Sequence, residues 1–191
     1  MDDVLRKPEL SLTDIAAAEA TGDICGINIG NVCADATKAL CLIKIFLRRF
    51  FKMKDSNCGY CMRGELLDAF GIYICDLSVS SLILFKEQSH PGRCIVAYKD
   101  HVSELVDISD ADRDAFFADV ARASKAIHAA FHPDKVNYGA YGDGGCHLHF
   151  PLVPKYKEQF EWGGVFQMNP GQVKLSDEEY AEMIEKIKSN L

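Results

Sequence analysis

The sequence contains no uninterrupted run of ~20 apolar residues, the length a helix needs to cross a bilayer. It also lacks an excess of positive charge: 21 Lys and Arg stand against 28 Asp and Glu, a net −7. That balance excludes a generic nucleic-acid-binding surface, so a phosphate-bearing ligand would have to be held by a local site. Neither phosphate-binding fingerprint is present, because Gly26-Ile-Asn-Ile-Gly30 has the wrong spacing and no strand-turn-helix context. With 48% apolar and 26% charged residues, wholesale disorder and collagen-like repeats are excluded too. The opening Met-Asp-Asp carries the wrong charge for a secretory leader, and the expectation is a reducing, cytoplasmic compartment.

Cysteine is not scarce, yet the eight present do not make a disulfide scaffold in a chain of 191 residues that is rich in core-forming side chains. Only Cys58 and Cys61 form a close pair. A C-x-x-C in a reducing compartment reads as a metal site, although alone it is equally a redox pair.

Residues 1–57 and 58–191 differ in character. The first part carries eight basic and eight acidic residues, so the whole −7 falls in the second. Residues 39–52 are apolar but broken by Lys44, Arg48 and Arg49, too short for a span and suited to a basic amphipathic helix on a surface or partner. Residues 1–57 therefore read as an extension, docked or poorly ordered, or as a mis-called start ahead of Met53.

From Cys58 onward the elements are clearer. Ile72 to Leu77, Val79 to Phe85, Arg93 to Tyr98, Val136 to Tyr141 and His147 to Val153 are rich in β-formers and bounded by turns. Ser109 is a candidate cap for a helix whose apolar positions Phe116, Val120, Ala123 and Ile127 recur at helical spacing up to Phe131. Ser176-Asp-Glu-Glu is a capping box for a last helix. The expected fold class is α+β, a five-stranded antiparallel sheet with one main helix and a C-terminal helix.

Gly144-Gly145-Cys146-His147-Leu148-His149-Phe150-Pro151 is the most informative segment. On a strand, His147, His149 and Pro151 share one face while Leu148, Phe150 and Leu152 take the other. Two imidazoles on one face, after a glycine-rich loop, make a place where phosphate can approach backbone N–H groups.

This segment resembles the signature of the histidine triad superfamily of nucleotide hydrolases and transferases, in which histidines alternate with apolar residues near the end of a five-stranded sheet. The resemblance covers most of 58–160 and includes Cys58-x-x-Cys61, the turn Tyr98-Lys-Asp-His101, and Asn137 with the glycine loop. Two departures are plain: Pro151 takes the third histidine position, and Arg93 stands where many members carry a further histidine. The galactose-1-phosphate uridylyltransferase branch also has an arginine there and a non-histidine at the third place.

The resemblance implies His149 as nucleophile, its tautomer set by the carbonyl of His147, forming a nucleotidyl-histidine from a dinucleoside polyphosphate or nucleoside phosphoramidate. It implies Arg93, Asn137, Gly144, Gly145 and Cys146 as phosphate partners. It implies Cys58, Cys61, His101 and His147 as ligands of a structural Zn2+, a closed S2N2 set. A homodimer is a further implication, dimers being common in the superfamily. Two alternatives stay open: a zinc-stabilised nucleotide-binding module with little turnover, and nucleotidylyl transfer to a sugar phosphate.

Overall fold

The computed structural model of the protein describes residues 54–142, 144–171 and 173–191. The extension, its basic apolar stretch 39–52 and the alternative start at Met53 lie outside the described residues.

Two one-turn helices, α1 (Gly59–Met62) and α2 (Glu65–Asp68), lead into the strands β1 (Gly71–Asp76), β2 (Ser80–Phe85) and β3 (Cys94–Tyr98). A 3-10 turn at Leu105–Asp107 precedes the long helix α3 (Asp110–Phe131), followed by β4 (Lys135–Tyr138), β5 (His149–Lys155) and α4 (Asp177–Lys188). The strands form one antiparallel sheet in the order β1-β2-β3-β5-β4. This is the α+β arrangement the sequence predicts.

α3 begins where Ser109 Oγ accepts the N–H of Asp112, with Asp110 and Asp112 placed where the helix N-terminus favours negative charge. It ends at His132, which adopts the left-handed conformation (φ 52°) and donates its N–H to the carbonyl of His128 just before Pro133. Its buried positions Phe116, Val120, Ala123 and Ile127 pack, together with Tyr180 and Ile187 of α4, against Leu82, Leu84, Cys94, Val96, Phe150 and Leu152. Replacing Phe116, fully buried here, by Ala would cost about 3–5 kcal/mol. α3 also closes the β1–β2 turn from below. The buried Asp119 carboxylate accepts the N–H groups of Ser78 (3.1 Å) and Val79 (2.9 Å) and the hydroxyl of Ser80 (2.7 Å).

All of this occupies one face of the sheet. The opposite face carries a smaller apolar group of Leu67, Ile83, Phe85, Ile95 and Ala97, joined by Tyr60, Phe70 and Tyr73. Period-two alternation puts His149, Pro151 and Val153 of β5 on this second face, because His149 pairs with Ala97 and Pro151 with Ile95.

β5 runs on through Pro154 to Lys155, two residues beyond the predicted end. Two prolines in a strand with neighbours on both sides would ordinarily break it. Here Pro151 accepts from Gly139 through its carbonyl, so its missing N–H also faces the β4 side, just past the last β4 residue, Tyr138. By the same alternation Pro154 faces past Cys94, where β3 begins. Pro151 forgoes one bond, to the carbonyl of Gly139 just past β4, and Pro154 faces beyond the start of β3, so both missing donors fall at the ends of the neighbouring strands.

Candidate active site and metal centre

The loop that enters β5 and the turn that leaves β3 lie side by side, since the N–H of Leu148 reaches the carbonyl of Val102 at 2.6 Å. That contact brings His101 beside His147. α1 approaches from the other side with Cys58 and Cys61. The ligand atoms of Cys58, Cys61, His101 and His147 all lie within 4.8 Å of one another. Three separations are shorter: Cys58 Sγ to His147 Nδ1 3.4 Å, Cys61 Sγ to His101 Nδ1 3.3 Å and Cys61 Sγ to His147 Nδ1 3.5 Å. A tetrahedron built with ordinary metal–sulfur and metal–nitrogen bonds has S···N edges of about 3.5 Å.

The outer contacts fit the same reading. His147 Nε2 lies 2.8 Å from the carbonyl of Tyr98, an acceptor only, so Nε2 carries the proton and Nδ1 turns its lone pair toward the sulfurs. His101 Nε2 lies 3.7 Å from the Asp55 carboxylate, beyond hydrogen-bond reach but with a negative charge on that side of the ring. Burial pushes the His147 ring down to about 4 and the Cys61 thiol up to about 11. The neutral imidazole is the ligand form, and a thiolate at Cys61 calls for a cation beside it. The four residues form a possible metal site, with His147 already held in the tautomer that coordinates through Nδ1.

Two residues beyond His147, the His149 ring points onto the open face of the sheet. Its Nδ1 lies 2.7 Å from the carbonyl of His147, so Nδ1 bears the hydrogen and Nε2 is left with a free lone pair. Burial lowers the proton affinity of this ring, opposed by the His147 carbonyl, and keeps it neutral at pH 7. Tyr60 lies against it, ring centroids 4.9 Å apart and planes 27° from parallel, and is itself braced edge-on by Phe70 at 5.3 Å. Nothing in the sequence singles out Tyr60, whose contact with His149 exists only once α1 is folded onto β5.

The remaining predicted residues divide. Gly144, Gly145 and Cys146 are exposed in the loop before His147, the Gly145 N–H turned back to the Gly142 carbonyl at 3.3 Å. Asn137 faces the same side as Val153, with which it pairs, and lines an open cleft of about 550 Å³ with Val136, Tyr138, Tyr141 and Gly163–Phe166. Arg93 shares this face but is only 1% exposed, at the far end of it from His147. Its guanidinium donates to the carbonyls of Gln167 (3.3 Å) and Met168 (2.6 Å), lies 3.6 Å from the Glu87 carboxylate, and stacks over the Phe85 ring at 4.3 Å. The same loop is tied by Lys155 to the Glu161 carbonyl (2.6 Å), and by the Glu161 carboxylate to His90 Nε2 and to the N–H of Gln167 (each 3.0 Å).

No protein-family model and no curated protein matches the sequence. Solved structures do. A histidine triad protein from Sinorhizobium meliloti superposes with a TM-score of 0.63 at 20% identity, covering 69% of this chain and 97% of that one. One from Marinobacter aquaeolei gives 0.63 at 19% over 70% and 97%, and one from Bradyrhizobium japonicum 0.62 at 17% over 69% and 98%. The chain carries the histidine triad fold. The likeness takes in nearly the whole of each of these proteins. Within the histidine triad fold, His147 and His149 occupy the first two places of the motif and Pro151 the third. Among the described residues, no helix is long and apolar enough to cross a membrane.

Proposed function

We propose that this chain is a nucleotide hydrolase or transferase that attacks the α-phosphate of a dinucleoside polyphosphate or nucleoside phosphoramidate with His149. The observation that carries this reading is the 2.7 Å contact from His149 Nδ1 to the carbonyl of His147, which leaves Nε2 unprotonated and nucleophilic. Nε2 forms a bond to phosphorus as the bond from phosphorus to the leaving oxygen or nitrogen breaks, its electron pair departing with the leaving group. Water or another acceptor then displaces the histidine.

We take Asn137 and the exposed loop residues Gly144, Gly145 and Cys146 as the groups that receive phosphate oxygens as charge develops, on the strength of the resemblance. Arg93 supports the same region by fixing the loop that forms the far wall of the Asn137 cleft. Cys58, Cys61, His101 and His147 fit Zn2+, the ion that two thiolates and two imidazoles in a tetrahedron favour. Four protein ligands fill such a coordination sphere, so its contribution is to hold α1, His101 and the start of β5 together. Free thiols in this set suit the reducing environment of a cytoplasm.

A second reading is favoured by one observation. Pro151 offers no donor on the face beside His149, so a zinc-stabilised nucleotide-binding module with little turnover fits the same geometry. The deciding experiment is AMP release from diadenosine tetraphosphate and from adenosine phosphoramidate, native chain against His149→Ala. Release that disappears in the variant supports the enzyme, and AMP binding without release supports the module.

A further inference from the structure

We propose that Tyr60 is a positioning residue for the His149 nucleophile, lying flat on its ring and stabilising the positive charge that the ring acquires, and that the four-ligand metal set holds Tyr60 in that place. The proposal rests on the nucleotidyl-histidine reading above.

A single hydrogen bond, from Nδ1 to the His147 carbonyl, leaves the His149 ring free to tilt about the bond that joins it to its own backbone. Tyr60 removes that freedom. Its ring is 4.9 Å from the His149 ring and 5.0 Å from the His147 ring, so it covers both imidazoles, while Phe70 stops it from turning away. The contact also changes in strength during reaction. When Nε2 bonds to phosphorus, the leaving group departs with its electron pair and takes a proton from solvent, and Nδ1 keeps its hydrogen. The ring thereby passes from neutral to an N-phosphoryl imidazolium. When water attacks phosphorus, the N–P electron pair returns to Nε2 and the water's surplus proton goes to solvent. Through this interval the electron-rich face of Tyr60 lies against a cation, well inside the ~6 Å range of a cation–π contact. An interaction that is stronger in the charged state than in the resting one lowers the barrier and not merely the substrate's binding free energy.

Nothing within α1 alone would keep Tyr60 there. The helix has four residues, far short of the ~12 that an isolated helix needs. Cys58 caps its start and Cys61 is its third residue, so two ligands of the set bracket Tyr60. Gly59 lets it settle close to its neighbours: a Cβ there would stand 2.9 Å from the Leu66 carbonyl oxygen and 3.0 Å from Phe70 Cε1. The sequence Cys-Gly-Tyr-Cys thus places a ligand, a close-approach residue, a ring and a second ligand in succession.

The test uses the full-length, metal-loaded chain and its Tyr60→Phe and Tyr60→Leu variants. It reads metal content, kcat and KM on adenosine phosphoramidate, and the NMR resonance of the His149 ring proton on Cε1. Tyr60→Leu is expected to keep its metal, lose roughly tenfold in kcat with little change in KM, and release the ring proton from the upfield displacement that a stacked aromatic imposes. Tyr60→Phe keeps the aromatic face and restores both. Chelation of the unmodified chain moves the resonance in the same direction as Tyr60→Leu.

A Tyr60→Leu chain with full kcat and an unmoved resonance overturns the proposal, and so does one that sheds its metal, since Tyr60 would then serve the knuckle alone. A resonance indifferent to chelation overturns the metal's part. If the native chain turns over no substrate, the nucleotidyl-histidine reading fails and the charge-stabilising role falls with it. The resonance shift still tells that failure apart from an absent stack.

Discussion

Pro151 of β5 stands directly opposite Ile95 of β3, on the face of the sheet that carries His149 two residues earlier. Its side chain neither donates nor accepts a hydrogen bond, and its missing N–H faces past the end of β4. Restoring an imidazole here would cost the sheet little and would add a donor beside the nucleophile. Pro151→His is expected to raise the rate of AMP release by up to about 10²-fold, the usual worth of one transition-state donor. Steady-state kinetics on adenosine phosphoramidate check this, and an unchanged rate would show a site built around the proline.

Asp55 reaches His101 Nε2 from outside the ligand set, at 3.7 Å. Removing this carboxylate takes a negative charge from beside the ring without deleting a ligand. Asp55→Ala is expected to weaken metal binding about tenfold, the lower end of what outer-shell changes cost. Competition against a chromophoric chelator measures it, with Cys61→Ser as the reference for outright loss.

His90 is 1% exposed and pairs with Glu161, with Lys155 and Arg93 on the same side of the cluster. Burial pulls its proton affinity below the ordinary value near 6.5, outweighing the help that Glu161 gives. The unfolded chain therefore binds more protons below pH 6.5, so stability falls as pH drops through that value toward the folded one. Glu161 adds to the loss at lower pH. Burial would raise its carboxyl, but His90, the Gln167 N–H and Lys155 together hold it below the ordinary value of 4.5. Urea midpoints at pH 7.0 and about 5.5 should differ, and His90→Gln should shrink that difference.

Arg93 and Glu87 are both almost wholly buried, 3.6 Å apart. Arg93→Met leaves a buried carboxylate without its cation and is expected to cost about 3–5 kcal/mol. Adding Glu87→Gln, which removes the charge but keeps an oxygen for the N–H groups of Ser89 and Val173, should recover part of that loss, as thermal melts of the single and double variants would show. Arg93→Lys is not a rescue, because one ammonium cannot span both the Gln167 and Met168 carbonyls as the guanidinium fork does.

The strands, the two long helices and both caps were readable because each is written locally: Ser109 before an acidic turn, Ser176 before Asp-Glu-Glu, β-formers between turns. The metal set was legible only in part from spacing. Cys58 and Cys61 are neighbours, whereas His101 and His147 join them across 40 and 86 residues from Cys61 and needed the resemblance to be seen. The buried network of Glu87, His90, Arg93, Lys155 and Glu161 left no local trace. His90 in a His-Pro-Gly turn reads as a surface residue until the loop after β5 folds over it. The end of β5 at Lys155 is hidden for a similar reason. A proline's missing donor matters only where a partner strand is present, and one sequence does not show where its neighbours stop.

His147 does two things with two different parts of itself. Its ring belongs to the possible metal set, and its backbone carbonyl fixes the tautomer of His149. Any amino acid has that carbonyl. A lineage could therefore abandon the thiols and the first imidazole, and so the metal, while keeping a correctly protonated nucleophile. What it would have to replace is the brace on the plane of the His149 ring. A chain stripped of the ligand set would keep the His149 tautomer and lose the ring stacked on it.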